Sequence, residues 1–267
     1  MARVLVTGGT GTLGRELVPR LVKADYAVRV MSRRPTGGLR DERKPGEWPE
    51  VEWAQADLET GHGLAEALVG VQIIVHAASN AAYHTQEIDV EGTRRLIEKA
   101  KAAGAGHFLY VSIVGIERVP LDYYRHKLAA EAVVAEGGVP WTILRATQFH
   151  TLIDGRLQAA TRGTWPLALL PTDLKFQPID TGEAAGRICE CVAVGPGGRL
   201  PDIGGPEVLT FGEMAKVSLA ARGMRRPILP LPMPGGFANA VRRGYLTCPE
   251  RKCGKLTWAE WVKKKYG

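Results

Sequence analysis

The chain is poor in cysteine, has no long apolar run and shows no internal repeat. Its four cysteines among 267 residues are Cys189, Cys191, Cys248 and Cys253. A Cys-x-Cys pair and a Cys-x-x-x-x-Cys pair miss the usual zinc spacings, so reduced thiols are expected and no metal site. No apolar stretch is long enough to span a bilayer, and Arg3 falls inside the expected first strand where a secretory leader would need an apolar core. A cytoplasmic chain with no membrane partner is therefore expected. Aromatic residues make up only 7%. Basic residues are scattered as Arg33-Arg34, Arg225-Arg226, Arg242-Arg243 and Lys263-Lys264-Lys265, with no stripe interleaved with aromatics. No nucleic-acid partner is expected, despite a net charge of +7. Oligomeric state is not legible.

What is present begins at once. Val4-Leu5-Val6-Thr7 is a short apolar strand running into Gly8-Gly9-Thr10-Gly11-Thr12-Leu13-Gly14. Leu13, Leu17, Val18, Leu21 and Val22 then follow at helical spacing. Two patterns fit the turn, Gly9-x-Gly11-x-x-Gly14 and Gly8-x-x-Gly11-x-x-Gly14. In such a strand–turn–helix unit one glycine permits the sharp turn, a second lets backbone N–H groups approach a pyrophosphate, and a third allows close helix–strand packing. The helix start adds unpaired N–H donors and partial positive charge. Gly8, Thr10, Gly11, Thr12, Leu13 and Gly14 are thus assigned to dinucleotide phosphates, which also gives part of the positive charge a role.

Strands and helices alternate from there, the signature of a parallel sheet covered on both faces. Strands are expected at Arg3–Thr7, Ala27–Ser32, Val51–Ala56, Gln72–His76, His107–Ser112 and Trp141–Arg145. Helices are expected near Thr12–Ala24, Gly63–Leu68, Thr85–Ala103, Tyr123–Glu136 and Phe149–Ala160. Pro35–Glu50 reads as a surface loop. Further on, Phe176–Ile179 reads as a strand and Thr181–Val194 as a helix, while Thr210 with Glu213 and Thr257 with Glu260 form capping boxes. The fold class is α/β, a doubly wound parallel sheet of Rossmann type with a small interleaved C-terminal substrate lobe. One domain is expected over 1–267, with a dinucleotide core at 1–150 and mainly substrate lobe at 151–267, including a return strand to the sheet.

The end of the second strand bears on which dinucleotide. NAD-binding chains place a carboxylate there for the ribose 2′-hydroxyl. Here the strand ends Val30-Met31-Ser32-Arg33-Arg34. Forked guanidinium donors suit a 2′-phosphate and Ser32 can add a hydroxyl, so NADP(H) is expected in preference to NAD(H), with Arg33 the main contact and Arg34 second. Solvated arginines at a strand end are the bland alternative. Asp57, followed by Leu58, closes the third strand; its carboxylate can accept from the adenine amino group or cap the next turn. Ala77, Ala78 and Ser79 after the fourth strand are small enough for a ribose or nicotinamide to lie against the backbone. His76 before them is either a site residue or hydrogen-bonded structure.

Ser112 ends the fifth strand, and Tyr123 and Lys127 lie four apart on one face of the next helix. An ammonium near a phenol favours phenolate and lowers its pKa, and can also bond ribose hydroxyls. A serine hydroxyl at the sheet's carboxyl edge can hold a substrate carbonyl. These residues, with Thr7–Gly14, resemble the short-chain dehydrogenase/reductase superfamily. Ser112-Ile113-Val114-Gly115-Ile116, Tyr123-Tyr124-Arg125-His126-Lys127 and Gln177-Pro178-Ile179-Asp180 resemble its atypical, NmrA-like branch. The resemblance implies Tyr123 as acid–base, Lys127 as its tuner and ribose anchor, and Ser112 as carbonyl holder. Departures from the pattern are the short interval from Ser112 to Tyr123, Asp89 where related enzymes often carry asparagine, and Ala146 in place of a proline after Arg145. Thr147 is expected to border the nicotinamide; Gln148 and His150 are expected to face substrate, and Trp165 either lines that pocket or simply packs. The functional expectation is hydride transfer to or from a small apolar carbonyl, enone or quinone-like substrate. A redox-sensing NADP(H)-binding protein without turnover is the alternative, and sugar-nucleotide epimerisation or dehydration a weaker one.

Overall fold

The computed structural model describes residues 1–33, 48, 50–162 and 167–267 of the chain. Most of the loop expected at Pro35–Glu50, with Arg34 and Trp165, lies outside the described residues. Among these, two compact units are traced. The first comprises Met1–Ser112, Arg125–Leu144 and Ala185–Leu200, and the second Ile113–Tyr124, Arg145–Ala184 and Pro201–Gly267.

Strand β1 (Arg3–Thr7) is buried along Val4–Thr7, as a strand covered on both faces must be. It pairs in parallel with β2 (Ala27–Ser32) on one side and β4 (Ile73–His76) on the other. The full sheet is all-parallel, in the order β3-β2-β1-β4-β5-β6-β9, with β3 at Glu52–Gln55, β5 at His107–Ile113, β6 at Trp141–Ala146 and β9 at Gly198–Arg199. The chain moves outward from β1 to β3, then returns to β4 on β1's other flank. The crevice beyond the carboxyl ends of β1 and β4 is therefore the topological switch point, where open α/β sheets bind ligands.

Helices α1 (Thr12–Lys23), α2 (Leu64–Ala67), α3 (Gly92–Ala102) and α4 (Asp122–Glu136) follow β1, β3, β4 and β5. Leu5, Ile74, Phe108 and Tyr110 from the strands pack with Leu64, Leu68, Leu96 and Ile97. Removal of apolar surface from water, favourable by about 25 cal/mol per Å², drives this packing. The stretch expected as one helix from Thr85 is divided: Gln86–Glu91 winds as a π-helix and only then becomes α3. The return strand is β9, held to β6 by Thr142↔Gly198 and Ile143↔Arg199.

In the second unit, α5 (His150–Ala160), α7 (Phe211–Ala221), α8 (Gly236–Arg242) and α9 (Trp258–Tyr266) enclose Ile153, Leu157, Met214, Val241, Trp258 and Val262. Two small sheets complete it. β7 (Ala168–Leu170) pairs in parallel with β11 (Ile228–Pro230), and β8 (Lys175–Phe176) pairs antiparallel with β10 (Leu209–Thr210). The strand expected over Phe176–Ile179 stops at Phe176, because Pro178 has no N–H to contribute to a ladder; Ile179 re-engages as an isolated bridge to Phe149. Both capping boxes form, at Thr210 with Glu213 and Thr257 with Glu260. Helix α6 spans Thr181–Val194, the range expected from the sequence.

Candidate functional site

The glycine turn is shaped by close backbone contacts. Gly8 lies at φ +69, and a Cβ there would stand 2.8 Å from the Ala78 nitrogen. A Cβ on Gly14 would stand 2.4 Å from the Gly8 carbonyl oxygen, so α1 presses directly on the turn. The Gly11 N–H donates to Gly8 O at 2.9 Å, and Arg15 Nε donates to Thr10 O at 2.9 Å. Gly11 is the extended N-cap of α1 and no side chain caps the helix. Gly11 and Thr12 are exposed, Thr10 is half-buried and Leu13 packs inward. The cradle thus offers backbone donors at a helix N-terminus, and its glycine positions are ones where a side chain would intrude. A dinucleotide pyrophosphate fits these residues.

His76 fastens this turn to the end of β4. Its Nδ1 lies 2.6 Å from Thr7 Oγ1 and its Nε2 2.9 Å from Thr93 Oγ1. Thr93 donates its own hydroxyl hydrogen to Asp89 O at 2.5 Å. Thr93 Oγ1 must therefore accept from His76 Nε2–H, which leaves Nδ1 to accept from Thr7. Thr7 Oγ1 in turn accepts from the Ala78 N–H at 3.1 Å. Burial pushes the His76 pKa down to about 3, so the ring is neutral. Of the two readings of His76, the structure shows the hydrogen-bonded one. No local pattern marks Thr7 and Thr93 as its partners, since they are 69 and 17 residues away.

Ser32 is half-buried at the end of β2, and Arg33 is exposed just beyond. Their backbone carbonyls are tied to β3, Ser32 O by the Ala56 N–H at 3.0 Å and Arg33 O by Gln55 Nε2 at 3.4 Å. Asp57 Oδ1 accepts from the Glu59 N–H at 2.9 Å; one carboxylate oxygen caps the local turn. Leu58 is buried against Gly92 of α3. Ala77 and Ala78 are half-buried and Ser79 is exposed.

Ser112 is buried near the end of β5, and its hydroxyl has no hydrogen-bond partner among the described residues. An unmet buried hydroxyl is costly, which suits one awaiting a ligand acceptor. Tyr123 occupies the first turn of α4, half-buried, with its ring 5.7 Å from that of Tyr124. One turn on, Lys127 is buried; its Nζ donates to Val111 O at 3.0 Å and lies 4.1 Å from the Tyr110 ring centroid. Asp89 Oδ1 stands 4.0 Å from the same ammonium. Burial draws the Lys127 pKa down to about 8, against the opposing pull of Asp89 and Glu131. Burial also raises the Asp89 pKa, with Lys127 and Ser79 opposing it.

The residues after β6 are enclosed within the second unit. Thr147 Oγ1 donates to Gln177 O at 2.5 Å. Gln148 Nε2 donates to Leu246 O at 3.4 Å, while its Oε1 is buried without a partner among the described residues. His150 is fully buried, with rings of Trp258 and Trp261 at 5.7 and 5.5 Å, and neither of its nitrogens is bonded among the described residues. Burial lowers its pKa to about 4. Arg145 Nη1 pairs with Glu117 Oε2 at 2.7 Å. Among the described residues no His, Cys, Asp and Glu cluster could hold a metal ion, and no helix is long and apolar enough to cross a membrane.

Several curated proteins resemble the chain. A divinyl chlorophyllide a 8-vinyl-reductase of rice is 27% identical over 86% of this chain and 61% of its own length. A ceramide reductase of Caulobacter vibrioides is 28% identical over 87% and 74%. A (4-alkanoyl-5-oxo-2,5-dihydrofuran-3-yl)methyl phosphate reductase of Streptomyces griseus is 28% identical over 84% and 75%. The chain is thus related to NAD(P)-dependent oxidoreductases, and it spans less than two thirds of the rice enzyme. Among solved structures, an Escherichia coli NADPH-dependent quinone oxidoreductase complexed with NADPH superposes with a TM-score of 0.79. It is 20% identical, covering 99% of this chain and all of that one. A nucleoside-diphosphate-sugar epimerase of Staphylococcus aureus gives 0.75 at 17% identity, covering 98% and 100%. Both share the fold. The glycine cradle from Gly8 and the strands from β2 to β6 fall within residues 8–164, which match the NAD(P)H-binding family, and to that family the chain belongs.

Proposed function

We propose that the chain is an NADP(H)-preferring oxidoreductase that reduces a small apolar carbonyl, enone or quinone-like substrate. The observation that carries this is Lys127, a buried ammonium held under the end of β5 one helical turn after Tyr123. Bound NADPH supplies the hydride. Gly8, Gly11, Thr12 and Gly14 would hold its pyrophosphate, Arg33 and Ser32 its 2′-phosphate, Asp57 its adenine edge, and Lys127 a ribose hydroxyl. Arg34, Leu58, Ala77, Ala78, Ser79 and Thr147 remain assigned to the same ligand. Tyr123 gives the proton to the substrate oxygen, with the neighbouring cation favouring phenolate afterwards. Ser112, whose hydroxyl has no acceptor among the described residues, donates to that oxygen. Gln148 and His150 stay with the substrate side as proposals. Relatives named as reductases support the reductive direction.

The test is optical. Oxidation of NADPH is followed with a panel of quinones, aldehydes, ketones and enones, in the native chain and in Tyr123→Phe. Turnover with at least one class, falling by about 10²–10⁴-fold in the variant, is expected, with NADPH affinity nearly intact. Tight NADPH binding without turnover on any of them would favour the redox-sensing alternative and overturn the catalytic reading.

A further inference from the structure

The π-helix at Gln86–Glu91 has a chemical consequence. It carries Asp89, which is buried and meets hydrogen-bond donors on both oxygens. Ser79 Oγ donates to Oδ1 at 2.6 Å and the Asn80 N–H to Oδ2 at 3.4 Å. Lys127 Nζ is the third donor group facing it, 4.0 Å from Oδ1. Two oxygens that both receive hydrogens are what a carboxylate offers. An amide has one acceptor oxygen, and its NH₂ would point at one of these donors. The geometry therefore favours an aspartate over an asparagine at this position.

Resting on the reading above that Lys127 anchors the cofactor, we infer that Asp89 is a positioning residue which holds Lys127 cationic and aimed, and ties it to the Ser79–Asn80 loop. Charged and polar groups from several elements face the ammonium. Asp89 comes from the π-helix, Glu131 from its own helix, His76 from β4, and the Tyr110 ring and Val111 carbonyl from β5. His76 is neutral and hydrogen-bonded at both nitrogens. Glu131 sits one turn along the same helix. Asp89 bridges from the loop after β4 to the lysine, so the loop's arrangement and the lysine's charge are coupled through this carboxylate. A paired charge of this kind shifts its partner's titration by about 1–3 pH units.

The experiment follows the Lys127 side-chain carbon by NMR across pH in selectively labelled full-length protein, the signal being assigned with Lys127→Arg. NADPH affinity is measured over the same range. In the native chain the Lys127 midpoint is expected near 8. Asp89→Asn should lower it by about 1–3 pH units, with NADPH affinity at pH 7.5 weakened about tenfold or more and the gap closing as pH falls. Asp89→Glu should restore much of the native midpoint. Should Asp89→Asn fail to fold, Asp89→Ser removes the same charge with a smaller side chain and is expected to lower the midpoint in the same way. A midpoint unmoved in these variants, or an affinity loss equal at every pH, overturns the inference. If the native chain binds neither NADPH nor NADH, the cofactor reading fails; the Lys127 midpoint still reports separately on Asp89.

Discussion

His76 Nδ1 accepts from the Thr7 hydroxyl at 2.6 Å, so a neutral imidazole bolts the glycine turn to the end of β4. Charging that ring would convert Nδ1 into a second donor facing Thr7, at a fully buried position. His107, bonded to Thr142 Oγ1, and His150 are likewise buried and have pKa values near 4.

Acid unfolding should therefore begin well above the carboxylate range. Each of these histidines has a folded pKa below its unfolded value of about 6.5. The stability it contributes is fully present above that value and is lost as pH falls toward 4 for His107 and His150, and toward 3 for His76. Each proton taken up on unfolding contributes a slope of about 1.4 kcal/mol per pH unit. Thermal melts from pH 7.5 to 4.5 should show Tm falling steeply once the pH drops below about 6.5. A flat profile down to pH 5 would contradict the neutral assignment of these rings.

The glycines of the turn predict a graded series. A Cβ at Gly14 meets backbone at 2.4 Å, whereas at Gly9 its contact is the Val30 side chain at 2.8 Å. Backbone cannot step aside without opening the turn, while a valine can rotate. Gly14→Ala should destabilise by about 1–3 kcal/mol and remove most dinucleotide binding; Gly9→Ala should cost less on both counts. Gly155 and Gly186 sit inside α5 and α6 with nothing within 4 Å, so Gly155→Ala should stabilise by about 0.5–1 kcal/mol. Chemical denaturation of the three variants checks the order.

How much of this was legible from the sequence varies with the range of the interaction that sets it. β1, β2 and α6 fall on their expected residues because strand burial and helical period are local signals. The capping boxes are four-residue patterns and form as written. The π-helix is different: its extra residue per turn leaves no mark in apolar spacing, and it is what brings Asp89 to Lys127. Asp89 stood out in the sequence as a departure from the family pattern; the buried ion pair it makes depends on a contact 38 residues away. His150 was expected to face substrate, yet the two tryptophans beside its ring come from a helix over 100 residues downstream.

Arg33 offers a clean test of cofactor preference because its backbone is held by β3 and its side chain is exposed. Replacing the guanidinium should leave the strand intact. A hydrogen bond from a charged group contributes about 1.5–3 kcal/mol, so Arg33→Ser should weaken NADPH binding about 10- to 100-fold. NADH, which lacks the 2′-phosphate, should bind as before. Calorimetric titration of both coenzymes measures this, and equal losses for the two would remove Arg33 from the phosphate site.

In the second unit, Asp154 is a fully buried carboxylate that gathers Lys265 Nζ at 2.6 Å, Tyr266 Oη at 2.8 Å and Gln158 Nε2 at 2.6 Å. Asp154 lies one turn after His150 on α5, and its partners Lys265 and Tyr266 follow Trp261 on α9. The two helices are thus joined by an aromatic contact at one turn and a charged one at the next. Lys265 is 39% exposed on its side chain, so it can be rehydrated when the carboxylate is removed, whereas Asp154 cannot. Lys265→Met should therefore be the more revealing substitution, since it leaves a buried anion with only neutral donors. Asp154→Asn removes that charge and should relieve part of the damage in the double variant. A double-mutant cycle by denaturant unfolding should return a coupling of about 0.5–3 kcal/mol. A coupling indistinguishable from zero would mean that the Lys265 ammonium adds nothing to the Tyr266 hydrogen bonds and the tryptophan packing that also join α9 to α5.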